Sequence, residues 1–167
     1  MEMLDSNMSI ITLISRRRFV IDTGAATAAL AGAGLAACAK TPSEGNVVYK
    51  TPTCGCCAAW VEHVKRAGIE IRVVNLPDLT AVRARLGAPA DLASCHIALI
   101  DGYVIEGHVP VDAIKKLIST RPDAIGLFVP GMPIGSPGME SAQGVQPFDV
   151  ILLDKAGSRS VFARYDG

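Results

Sequence analysis

The chain has 167 residues, half of them hydrophobic and 5% aromatic, with 16 Lys or Arg balanced by 16 Asp or Glu. Zero net charge, and no basic run beyond the N-terminal arginines, exclude the electrostatic footprint of a nucleic-acid-binding protein. The length suits one domain with a single core rather than two.

Residues 1–37 read as a targeting segment and not as fold. Ser15-Arg16-Arg17-Arg18-Phe19 is a twin-arginine stretch, and the Ala/Gly-rich run after it has the moderate hydrophobicity of a bacterial Tat export signal. The run ends in Leu35-Ala36-Ala37-Cys38, which resembles a lipoprotein box. The expectation is a Tat-type lipoprotein signal peptide over 1–37, with Cys38 lipidated and the mature protein held in the periplasm as a membrane-anchored lipoprotein. An uncleaved membrane helix over Phe19–Ala37 is the alternative, and Asp22 with the glycines makes it a poor apolar span. Residues 38–46 then form a short linker, and 47–167 the folded domain.

Within that domain, 47–50 reads as a strand, and Thr53 as the N-cap of a helix whose inward residues are Trp60, Val61, Val64 and Ala67, stopped by Gly68. A second strand follows over 69–76, then a short helix capped by Asp78 and ended by Gly87. Asp101-Gly102 suits a two-residue turn joining strands 95–100 and 103–106. A helix over 110–120, a Gly/Pro/Met loop over 130–144 and a hairpin over 148–153 and 160–165 complete the chain. The fold expected is α/β: a thioredoxin-like β-α-β-α-β-β-α core with an added C-terminal β-hairpin. In such domains the first hairpin strand begins beside the helix that carries the cysteines, which brings Cys95 toward them.

Five cysteines are present, and three of them, Cys54, Cys56 and Cys57, lie within four positions at the start of a helix. Unpaired N–H groups there favour thiolate and lower its pKa. Two chemistries suit this: a redox Cys-x-x-Cys made of Cys54 and Cys57 with a spare thiol, or a soft-metal site made of Cys54, Cys56, Cys57 and Cys95. The third thiol favours metal, because in a dithiol enzyme it invites mis-paired disulfides. So does Ala93-Ser94-Cys95-His96, which has no proline where oxidoreductases of this fold place one.

Four thiolates could close on one zinc or bridge several Cu(I) ions, and Met132 and Met139 in the loop favour copper because thioether seldom ligates zinc. Regular helical geometry turns Cys56 away from Cys54. Strand alternation sends His96 to the face opposite Cys95. His108 is a further candidate ligand, proton carrier or helix-end hydrogen bonder, His63 a solvated surface residue, and Trp60 core.

Tyr49-Lys50-Thr51-Pro52-Thr53-Cys54-Gly55-Cys56-Cys57, Glu106-Gly107-His108-Val109-Pro110, and Val129-Pro130-Gly131-Met132-Pro133 through Gly135-Ser136-Pro137-Gly138-Met139-Glu140 together resemble the CopG-type copper-resistance proteins, catalogued as domain of unknown function 411. The resemblance runs through essentially the whole mature chain. It implies a periplasmic or membrane-anchored thioredoxin-like protein that binds copper through Cys54, Cys56, Cys57 and Cys95, with Met132, Met139, His108 and His96 as further candidates. It implies, as partners, copper ions and the copper-export or copper-oxidase proteins of the envelope. The lipid anchor at Cys38 departs from a family pictured as diffusible. A thiol-disulfide or copper oxidoreductase using Cys54 and Cys57 is the second reading, and a zinc-stabilised interaction domain the third.

Overall fold

The structure is a computed structural model that describes residues 45–166; Arg16, Arg17 and Cys38 lie outside them. Among the described residues no helix is long and apolar enough to cross a membrane.

The elements run β1 (Val47–Lys50), α1 (Gly55–Arg66), β2 (Arg72–Asn75), α2 (Thr80–Leu86), a 3-10 turn (Ala90–Leu92), β3 (His96–Ile100), β4 (Tyr103–Glu106), α3 (Val111–Thr120), β5 (Ala124–Phe128), β6 (Phe148–Asp154) and β7 (Arg159–Tyr165). They build an α/β domain around one seven-stranded mixed sheet in the order β2-β1-β3-β4-β5-β6-β7. β1 and β2 are parallel, as are β4 and β5; every other neighbouring pair is antiparallel.

Because side chains alternate across a strand, each strand feeds two cores. On one face Val48, Ala98, Ile105 and Leu127 pack against Trp60, Val61 and Val64 of α1 and Ile114 and Leu117 of α3. On the other face Ile97, Val104 and Phe128 pack against Val82 of α2 and Leu92. The site lies where α1 begins, beside the ends of β1 and β3.

Several local expectations are corrected. The N-cap of α1 is Cys54, not Thr53: its sulfur accepts the Cys57 N–H at 3.3 Å. The second strand is confined to Arg72–Asn75, because Ile69 is still closing α1 with its N–H on the Val64 carbonyl. Asp78 does not occupy the cap position of α2, which falls to Leu79, although its carboxylate accepts the Thr80 N–H. Cys95 stands just outside β3.

β5 has no counterpart among the expected elements. A glycine interrupts its apolar run, and the sheet requires that glycine, since a Cβ on Gly126 would collide with the Val104 carbonyl of β4.

Candidate metal centre

Four cysteines separated in sequence by up to 41 positions converge at the start of α1. The ligand atoms of Cys54, Cys56, Cys57 and Cys95 all lie within 4.8 Å of one another. Cys54 and Cys57 form a disulfide with Cα atoms 5.4 Å apart, and Cys56 and Cys95 are free. The Cys56 sulfur is 3.4 Å from that of Cys54 and 3.9 Å from that of Cys95. The Cys57 sulfur is 3.6 Å from the Cys95 carbonyl oxygen.

Cys56 therefore faces its neighbours instead of turning away. Regular helical spacing would apply only with both residues inside the helix, whereas Cys54 has the extended backbone of an N-cap (φ −75°, ψ 103°) and swings its sulfur back over the first turn. Cys95 reaches the cluster across 38 or more positions of sequence, as the element order implies.

Two histidines complete the cluster. The Cys95 sulfur is 3.0 Å from His108 Nε2 and 3.2 Å from His96 Nδ1, and these three ligand atoms also lie within 4.8 Å of each other. A carbonyl only accepts, so the 2.8 Å contact between His108 Nδ1 and the Pro137 oxygen puts the proton on Nδ1. Nε2 then presents its lone pair to Cys95, and the bond at Nδ1 fixes the ring as such bonds do in metal-ligating imidazoles.

His96 is on the Cys95 side because Cys95 precedes the strand, so alternation does not relate the two. Its ring is fully buried, 4.4 Å from that of Trp60 and 5.0 Å from that of His108, and its Nε2 has no hydrogen-bond partner. Burial first, then the nearby His108, Arg83 and Lys50, pull its pKa down to about 3. Burial likewise lowers that of His108, against the Pro137 bond and Glu140. Both imidazoles are neutral at pH 7, the form that ligates metals. Burial, with Cys56 adjoining, pushes the Cys95 thiol up, so this cysteine keeps its proton until a partner displaces it.

The Gly/Pro/Met loop forms the outer wall. Gly138 lies at φ +84°, and a Cβ there would come within 2.7 Å of both the Cys56 carbonyl oxygen and the Trp60 nitrogen; only glycine lets the loop rest on the first turn of α1. Glu140 fastens the loop, accepting the Gly138 N–H at 3.0 Å and meeting His63 Nε2 at 2.6 Å, so His63 is a loop anchor and not merely solvated. Of the two methionines, Met139 is half-buried beside Gly138, and Met132 is 52% exposed beyond Gly131, whose N–H reaches the Ala93 carbonyl.

Sequence reasoning missed the role of Lys50, a nearly buried cation that donates to the Thr51 carbonyl at 2.9 Å just before the cysteines. It also missed a buried ion pair, Arg83 with Glu106. A lone acid in the otherwise apolar strand Tyr103-Val104-Ile105-Glu106 was the available signal for that pair.

The family model described as a protein of unknown function, DUF411, matches residues 92–139. No curated protein matches the chain. Two solved structures do, described as copper resistance protein CopG in forms 1 and 2, each 41% identical to this chain. Form 1 aligns with a TM-score of 0.69 over 74% of this chain and 98% of its own. Form 2 gives 0.70 over 73% and 98%.

Proposed function

This chain belongs to the CopG-type copper-resistance family, and on that footing we propose that it binds Cu(I) in copper homeostasis of the cell envelope. The carrying observation is the convergence of four cysteine sulfurs, one of which, that of Cys95, also meets the Nε2 lone pair of His108, donors that suit Cu(I). Cys54, Cys56, Cys57 and Cys95 are the ligands in this reading. His108 and His96 complete the set on the Cys95 side, and Met132 and Met139 serve from the loop.

Zinc is the competing metal. Four thiolates also suit one zinc; copper is favoured by the relatives named for copper resistance and by the loop methionines Met132 and Met139, whose thioether sulfur seldom ligates zinc. The test is metal content after reducing, anaerobic purification: more than one copper per chain supports a bridged thiolate cluster, and a single zinc overturns the reading.

The Cys54–Cys57 disulfide favours a second reading, a thiol-disulfide or copper oxidoreductase. With that bond formed, two sulfurs leave the donor set and only Cys56 and Cys95 remain as thiols. Opening it takes two electrons and two protons and yields two thiols, so the number of copper ligands changes with the oxidation state.

A thioredoxin-like architecture is part of the proposal. It is supported by the β2-β1-β3-β4 half of the sheet, with β3 antiparallel to both neighbours, α1 and α3 on one face and α2 on the other. Export by the twin-arginine route through Arg16 and Arg17, and anchoring through Cys38, rest on the sequence of residues 1–38. They put the copper site at a membrane surface, within reach of copper-export or copper-oxidase proteins.

A further inference from the structure

Cys95 lies outside β3, so no strand ladder holds its backbone, yet its sulfur is the one that meets both the cysteine cluster and the two histidines. What fixes it comes from the other face of the sheet. Glu106, fully buried at the end of β4, accepts the Ser94 N–H at 2.7 Å. Arg83 of α2 grips the same carboxylate with Nε at 3.1 and 3.2 Å and with Nη2 at 2.8 Å. That Nη2 also donates to the Ser94 carbonyl. Both backbone polar groups of the residue before Cys95 are thus held by one buried ion pair.

The remaining contacts tighten the same segment. Ser94 Oγ donates to the Gly131 carbonyl, and a Cβ on Gly107 would meet Ser94 Cβ and Oγ at 2.7 Å. Glu106 also stands two positions before His108, so a single residue ties the thiol and the imidazole that face each other.

A buried ion pair is a poor source of stability, since desolvating both charges offsets their attraction and apolar replacements often do as well. Its use here is geometric. We propose that Glu106, together with Arg83, is a positioning residue for the metal site: it holds Ser94 so that the Cys95 sulfur sits against Cys56 and His108. The copper part rests on the reading given above; the placement of the thiol does not.

Two measurements on the full chain separate these. In a Cys54→Ser/Cys57→Ser background without metal, diamide should join Cys56 to Cys95. Glu106→Gln, which keeps an acceptor for Ser94 but loses the charge held by Arg83, should slow that joining at least tenfold. Arg83→Lys, which cannot span carboxylate and carbonyl together, should do the same, and it carries the test should Glu106→Gln fail to fold. With all cysteines present, Glu106→Gln should weaken Cu(I) binding in chelator competition at least tenfold, and Glu106→Gln/Cys95→Ser no more than Cys95→Ser alone.

Unchanged joining of Cys56 to Cys95 in folded variants overturns the positioning role, as does an additive loss in the double variant, which marks a general structural effect. Slowed joining in a protein that binds no copper sustains the positioning role and defeats the copper reading.

Discussion

His108 turns its unprotonated Nε2 onto the Cys95 sulfur at 3.0 Å while its Nδ1–H is held by the Pro137 carbonyl. The imidazole belongs to the turn after β4 and the carbonyl to the loop between β5 and β6, so two distant segments fix one tautomer at the thiol. Replacing His108 by Asn should weaken Cu(I) binding about tenfold, or roughly 1.4 kcal/mol. Chelator competition measures it, and parental affinity would remove His108 from the ligand set.

Cys95→Ser should reduce Cu(I) capacity about as much as Cys56→Ser does, because the two sulfurs are 3.9 Å apart within one cluster. The check is copper per chain after anaerobic titration. A Cys95→Ser protein with full capacity would mean that proximity here is not ligation. Cys56→Ser also divides the two functional readings: a copper site loses a donor, while a Cys54/Cys57 dithiol enzyme keeps its exchange activity or gains by losing a competing thiol.

Gly138→Ala should lift the loop from α1, since the added methyl falls on the Cys56 carbonyl and the Trp60 backbone. Overpacking of this kind costs about 1–3 kcal/mol. The expected signs are a lower melting temperature and faster proteolysis within 130–144. If both match the parent, the loop is not seated on the helix in solution.

Acid should destabilise the metal-free protein. His96 has a folded pKa of about 3 against an ordinary 6.5. Between those values the unfolded chain binds a proton that the folded chain refuses, so the stability tied to neutral His96 is complete above pH 6.5 and drains away as pH falls toward 3. The slope from one such group reaches at most about 1.4 kcal/mol per pH unit. Urea midpoints from pH 7 to 4 should follow it, and His96→Gln should flatten the curve. An equally steep curve in that variant would assign acid sensitivity elsewhere.

Changing Arg16 and Arg17 to Lys-Lys should hold the precursor in the cytoplasm, and Cys38→Ala should release the mature protein from the membrane fraction. Membrane attachment that survives Cys38→Ala would point to an uncleaved helix.

The cysteine motif, the apolar periodicity of α1 and α3 and the Asp101-Gly102 turn made most elements legible, because each is a local signal. Even the approach of Cys95 followed from element order. What the sequence hid was nonlocal or conformational. Cys54 caps α1 with sulfur, a role in which serine, threonine, asparagine and aspartate are the usual residues, so Thr53 was the natural reading. β5 was masked by Gly126, whose reason is the backbone of β4. Glu106 looks like a surface acid until its partner, 23 positions away, is in place.

The sulfur cap has a consequence of its own. The Cys57 amide points its hydrogen at the Cys54 sulfur, and once the Cys54–Cys57 disulfide is reduced and the Cys54 thiol loses its proton, the anionic sulfur holds that hydrogen more tightly. The amide belongs to the main chain, so ordinary side-chain replacement at position 57 leaves it in place. Deuterium uptake at this one peptide group should therefore slow when the sulfur becomes anionic, giving a backbone reporter of its electronic state that needs neither a chromophore nor an added label.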